Sequence, residues 1–126
     1  MDFKDILMKK KEELICVGLG KMTEWLDDYK KAIKYLEKYG FTVEKLEIEM
    51  GIPPEVHTSI LGSIEHIQID QLNKLIEEQQ KEALLVALLR SLVLTRQIWE
   101  SLDLKLTGVL LKVTLGAPPK IDIEIC

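Results

Sequence analysis

The chain has 126 residues, 47% of them hydrophobic and 30% charged, with a formal net charge of −4. This is one domain's worth of a soluble globular protein, too rich in apolar residues for a disordered chain and too acidic to favour nucleic acid. The two cysteines, Cys16 and Cys126, stand in no metal-ligand or redox spacing, so a reducing, cytoplasmic setting with no cofactor is expected.

The first segment carries Phe3, Ile6, Leu7, Leu14 and Val17 in a helical pattern, with Asp2, Lys4 and Asp5 interrupting any signal-like apolar run. Gly18 and Gly20 weaken that helix by up to ~1 kcal/mol each relative to Ala, so a kink is expected there, with Thr23 as N-cap of the next piece. Met22, Trp25, Leu26, Tyr29, Ile33 and Leu36 then form one apolar stripe. The helix stops with Lys38 in its last turn and Gly40 as a left-handed cap. The basic runs Lys9-Lys10-Lys11 and Lys30-Lys31 sit among carboxylates and read as solvated helix faces.

Two alternating runs follow, Leu46 to Met50 and Val56 to Ile60, broken by Gly51-Ile52-Pro53-Pro54. Proline donates no backbone hydrogen bond, so a Pro-Pro pair ends a ladder and the break reads as a hairpin loop, Gly51 to Glu55. That loop pairs Met50 with Val56, Ile48 with Thr58 and Leu46 with Ile60.

The next helical pattern starts at Asp70, a good N-cap, and runs to about Leu102. Beyond it the hairpin is written again. Leu111 to Ile125 repeats Leu46 to Ile60 at an offset of 65 (111 − 46), with Gly116, Pro118 and Pro119 matching Gly51, Pro53 and Pro54 and with Ile123 matching Thr58. The chain therefore reads as a single domain made of two αββ repeats, about 1–64 and 65–126. The expected fold is α+β, a four-stranded antiparallel sheet covered on one face by two long helices. In topology the order αββαββ resembles a circular permutation of the ferredoxin-like arrangement, similar to small assembly domains of pilus and type II secretion machinery. Such a resemblance implies a fold and leaves function open.

Candidate chemistry is sparse. His57 sits on the polar sheet face across from Glu49, with Glu47 and Ser59 beside it. A His with two carboxylates can hold a divalent metal or do acid–base work, and it can equally be a cross-strand pair contributing roughly 0.2–1 kcal/mol. His66 lies in the connection after the first hairpin and reads as a surface residue. The glycines form neither a dinucleotide fingerprint nor a P-loop, because the required strand and helix do not flank them.

The stronger signal is the stretch from Ala83 to Thr95. Interrupted by Arg90 and Ser91, it falls short of the ~20 residues that span a bilayer. Leu84, Leu85, Val86, Ala87, Leu88, Leu89, Leu92, Val93 and Leu94 cover nearly its whole circumference, whereas a helix on one sheet needs a single apolar stripe. Leu85, Leu88, Leu89, Leu92 and Val93 are therefore the expected interface of a homo-oligomer, with room for a further protein partner and no role for nucleic acid or a membrane span. The function this favours is a small non-enzymatic assembly, adaptor or regulatory protein. The alternative is a metal- or small-molecule-binding sensor or enzyme with a site between subunits near His57 and Glu49.

Overall fold

Apolar residues recurring at helical spacing give the chain its first described element. In the computed structural model, residues 20–51, 54–116 and 119–126 are described. The expected helical pattern through Phe3, Ile6, Leu7, Leu14 and Val17, the break at Gly18, and Cys16 lie outside them. Helix α1 spans Gly20–Glu37, followed by strands β1 (Thr42–Glu49) and β2 (Glu55–Ser63). Helices α2 (Ile69–Glu78) and α3 (Ala83–Ser101) precede β3 (Gly108–Leu115) and β4 (Lys120–Ile125).

Helix α1 buries Leu26, Tyr29, Ala32, Ile33 and Leu36. Thr23 lies inside this helix and does not cap it, because helical backbone already runs from Gly20. At the C-terminal stop Gly40 is the left-handed cap, as expected, while Lys38 falls just past the helix end and Lys34 is the cation of the last turn. Gly40 takes φ 85°, its N–H reaches the Glu37 carbonyl, and the Phe41 N–H reaches the Leu36 carbonyl. The first bond satisfies the Glu37 carbonyl, and the second adds to the Tyr39 N–H bond already on the Leu36 carbonyl. It also drops Phe41 into the core against Gly62, where a Cβ would collide with the Phe41 ring.

The second helical segment is two helices. No apolar residue occurs in Glu77-Glu78-Gln79-Gln80-Lys81-Glu82, so a continued helix would have no face to bury there. The Gln80 side chain instead caps the Ile76 carbonyl at 2.8 Å, and the turn lets α2 fold back against α3. Gln68, not Asp70, occupies the N-cap, and Asp70 lies in the first turn.

The strands form one antiparallel sheet in the order β1-β2-β3-β4. In a permuted ferredoxin-like sheet the last strand would lie between the second and third. Here β2 pairs with β3 directly and β4 stays at the edge, with Ile123 still 36% exposed. Both hairpins pair two residues out of the expected register. Glu49 opposes Glu55 and Thr114 opposes Lys120, each first partner after the prolines being the first residue with an N–H to give. Met50 leaves the ladder and is exposed. Because the shift is even, every side chain keeps its expected face.

Val56, Thr58 and Ile60 of β2 and Val109, Leu111, Val113 and Leu115 of β3 are buried. Helix α1 packs over β1 and β3, and α3 touches α1 and β4. Within this apolar layer runs one polar chain. Thr58 Oγ1 donates to the Lys45 carbonyl at 2.9 Å, so the buried Tyr29 hydroxyl, 2.5 Å away, donates to Thr58. Burial pushes the Tyr29 phenol well above its ordinary range, only partly offset by the Thr58 bond. The neutral phenol is therefore the form held in the core.

Replacing Thr58 with Val takes the hydroxyl from two partners at once, whereas Tyr29→Phe removes one donor. We expect Tyr29→Phe to cost about 1 kcal/mol and Thr58→Val about 2 kcal/mol or more, read by urea denaturation. Equal costs would show that the Lys45 bond carries no weight.

Candidate functional site

Three places hold chemistry or surface that the fold itself does not consume. The first is the polar face of the sheet. His57 Nε2 lies 3.2 Å from Glu49 Oε2 and 3.2 Å from Glu55 Oε2, and its Nδ1 lies 3.3 Å from Thr114 Oγ1. Glu49 contacts His57 from the diagonal, since the register shift places Glu47 directly across from His57. Glu47 turns away to Lys45 Nζ at 2.8 Å, and Glu55, assigned to the loop by sequence, becomes the third member. The Glu49, Glu55 and His57 donor atoms lie within 4.8 Å of one another, close enough to hold a metal ion. Both carboxylates converge on a single ring nitrogen, the arrangement of an N–H donor shared by two acceptors. His66 is exposed beyond the far end of β2 and adds nothing to this group.

The second place is a cavity of about 330 Å³ where the start of α3 meets α1 and the β3–β4 hairpin. Its walls are Trp25, Ala83, Leu84, Ala87, Leu115 and Ile121, with Asp28 as the one charged lining residue. Desolvation and the neighbouring Glu82 carboxylate raise the Asp28 pKa, partly opposed by Lys31. Among the described residues Asp28 has no hydrogen bond or ion pair. Neither this cavity nor Asp28 was legible in sequence, because its walls come from three elements far apart in the chain.

The third place is the back of α3. Leu85, Leu88, Leu89 and Leu92 are each at most 2% exposed inside the chain's own core, and Val93 packs partly buried against it. The surface left to a partner is therefore the opposite side. There Leu94, Ile98 and Leu102 are 53%, 40% and 64% exposed. The helix is held at its C-terminal end by Arg96, which donates to the Ile64 carbonyl and Glu100 and stacks on Trp99, and by Trp99 Nε1, which donates to the Leu106 carbonyl. This anchoring points the apolar back outward in a defined orientation. No described helix is long and apolar enough to cross a membrane.

No protein family, curated protein or solved structure matches the chain.

If the His57 group is a cross-strand pair on an open face, His57→Ala shifts stability by less than about 1 kcal/mol. Urea denaturation at pH 7 checks this, and a loss several times larger would mark the group as more than a surface pair.

Proposed function

We propose that this chain is a non-enzymatic assembly module, each half of which ends in a β-hairpin, that pairs with a second copy of itself through the back of α3. One observation carries the reading. Leu84, Ala87, Ser91, Leu94, Ile98 and Ser101 lie on that face in alternating steps of three and four, the spacing of a coiled-coil seam. Under a two-fold axis with antiparallel helices, Leu84 meets Ser101, Ala87 meets Ile98 and Ser91 meets Leu94 of the second copy. Every layer sets a large residue against a small one. The Ser91 hydroxyl is already bonded to the Ala87 carbonyl at 2.8 Å, so it enters an apolar seam without a stranded donor.

The cavity supports the same pairing. Ala87 and Leu84 line it, so an Ile98 side chain arriving opposite Ala87 from the second copy has a hollow to enter. The interface is isologous and self-complementary, as a closed dimer requires.

Covering the exposed parts of Leu94, Ile98 and Leu102 is worth about 1 kcal/mol each, or about 6 kcal/mol for the pair of chains. Association costs ~4–15 kcal/mol in lost rigid-body freedom. The exposed side chains alone do not offset that cost, so filling the cavity has to supply the rest, and the expected association is weak. This suits a module whose assembly responds to its concentration.

A second reading has one observation behind it, the convergence of Glu49, Glu55 and His57, which would make the chain a cation-responsive sensor. A zinc-induced rise in melting temperature that disappears in His57→Ala would favour it over simple assembly.

Sedimentation velocity tests the main reading. We expect a concentration-dependent shift from monomer to dimer, abolished by Leu94→Glu or Ile98→Glu with unchanged circular dichroism. A wild-type chain that stays monomeric at its solubility limit, or variants that dimerise like wild type, would overturn it.

A further inference from the structure

The two hairpins begin with the same backbone pair and fill it with different chemistry. In β3–β4 the first pair beyond the prolines is Thr114 with Lys120, and Lys120 lies 3.7 Å from Asp122, an ordinary surface ion pair. In β1–β2 the matching pair is Glu49 with Glu55. Like charges directly opposite each other destabilise a sheet, so the hairpin itself does not call for them. Among the described residues neither carboxylate has a Lys or Arg partner. Lys45 is taken by Glu47, and both Glu49 and Glu55 turn to His57 Nε2. With the imidazole neutral, one divalent cation balances the two carboxylates.

The spacing suits such an ion. Zinc bonds nitrogen and oxygen ligands at about 2.0–2.2 Å, which makes the edge of a tetrahedral site about 3.3 Å long. The two separations between His57 Nε2 and the carboxylate oxygens are each 3.2 Å. Imidazole with carboxylates selects a first-row ion such as zinc over calcium or magnesium, which prefer oxygen alone. The other ring nitrogen is held as well. Thr114 lies directly across from His57 on β3, with its Oγ1 3.3 Å from Nδ1. In the tautomer where Nδ1–H donates to Thr114, the Nε2 lone pair is left on the side of the two carboxylates. A metal-ligating histidine ordinarily has such a partner on its second nitrogen.

We propose that His57 Nε2, Glu49 and Glu55 bind one Zn²⁺ within a single chain, with Thr114 as the positioning residue for the imidazole. Such a site rests on the cation-responsive reading and names its ligands; it does not depend on pairing through α3. The ion takes the place of the shared Nε2 proton and joins the last residue of β1 to the first of β2, stapling that end of the hairpin. All three side chains are partly or largely exposed, so a fourth position is open to water.

Calorimetric titration of the full chain with zinc chloride, diluted until it sediments as a monomer, tests the site. We expect one ion per chain. Glu49→Gln, Glu55→Gln and His57→Ala should each weaken binding at least ~10-fold, and Thr114→Val about 10-fold, with Thr114→Ser restoring it. His66→Ala should change nothing. Nitrogen NMR of the wild type needs no variant, and should show zinc on Nε2 of His57 with Nδ1 still protonated. Binding lost in His57→Ala but indifferent to both glutamine variants would overturn this ligand set and leave the chain cation-responsive. No binding, or binding indifferent to His57→Ala, would overturn both. Zinc on Nδ1, or one ion shared between two chains, would refute the single-chain site, and a Thr114→Val variant that binds like wild type would refute the positioning role.

Discussion

Helix α3 carries apolar residues on two sides, and its own chain covers one of them. Its inner side, through Leu85, Leu88, Leu89 and Leu92, is the centre of the core. Its outer side, through Leu94, Ile98 and Leu102, meets solvent. Exposed apolar residues scattered singly are ordinary, but these repeat along one helix face. A helix needing only the sheet would carry polar residues at these positions.

The hollow opens where the start of α3 meets α1 and the β3–β4 hairpin. Tyr29 and Thr58 fix one side of this arrangement. Their hydroxyls tie α1 to β2, and through the Lys45 carbonyl to β1, within a layer that is otherwise hydrocarbon. Apolar contacts are non-directional and would tolerate a sliding helix, whereas a buried hydroxyl chain has one satisfied arrangement. Trp25 and Asp28 precede Tyr29 on the same helix, so this tie also sets where the wall of the cavity stands. At the other end, Arg96 and Trp99 pin α3 to the Ile64 and Leu106 carbonyls. Both polar anchors serve to aim surfaces; neither forms a reactive centre.

Much of this was legible in the residues. Period-two alternation assigned the strand faces correctly, and Gly40 marked the end of α1. The surplus of apolar residues in α3 was visible as a surplus. What the residues hid was direction and number. Periodicity says that a helix has two apolar sides without saying which one the sheet takes, so Leu88 and Leu92, expected at a surface, lie in the core, and Leu94 and Ile98 are exposed. The two-residue register shift came from the first N–H after each proline pair, a local rule that propensity does not weigh. It brought Glu55 to His57 and left Glu47 with Lys45. The break at Gln79–Lys81 has no proline or glycine; a run without apolar residues marks it, and tertiary packing against α3 decides it. The cavity needs three elements in place and was beyond reading from any one of them.

The central claim, that the outer side of α3 is buried by a second copy in antiparallel register, is most directly tested by isotope-filtered NMR on a mixture of labelled and unlabelled chains. The account predicts intermolecular contacts between the Leu94 methyl groups and Ser91 of the other chain, and between Ile98 and Ala87, with none from Leu88 or Leu92. Contacts from any other face, or a dimer showing none from Leu94 and Ile98, would contradict it.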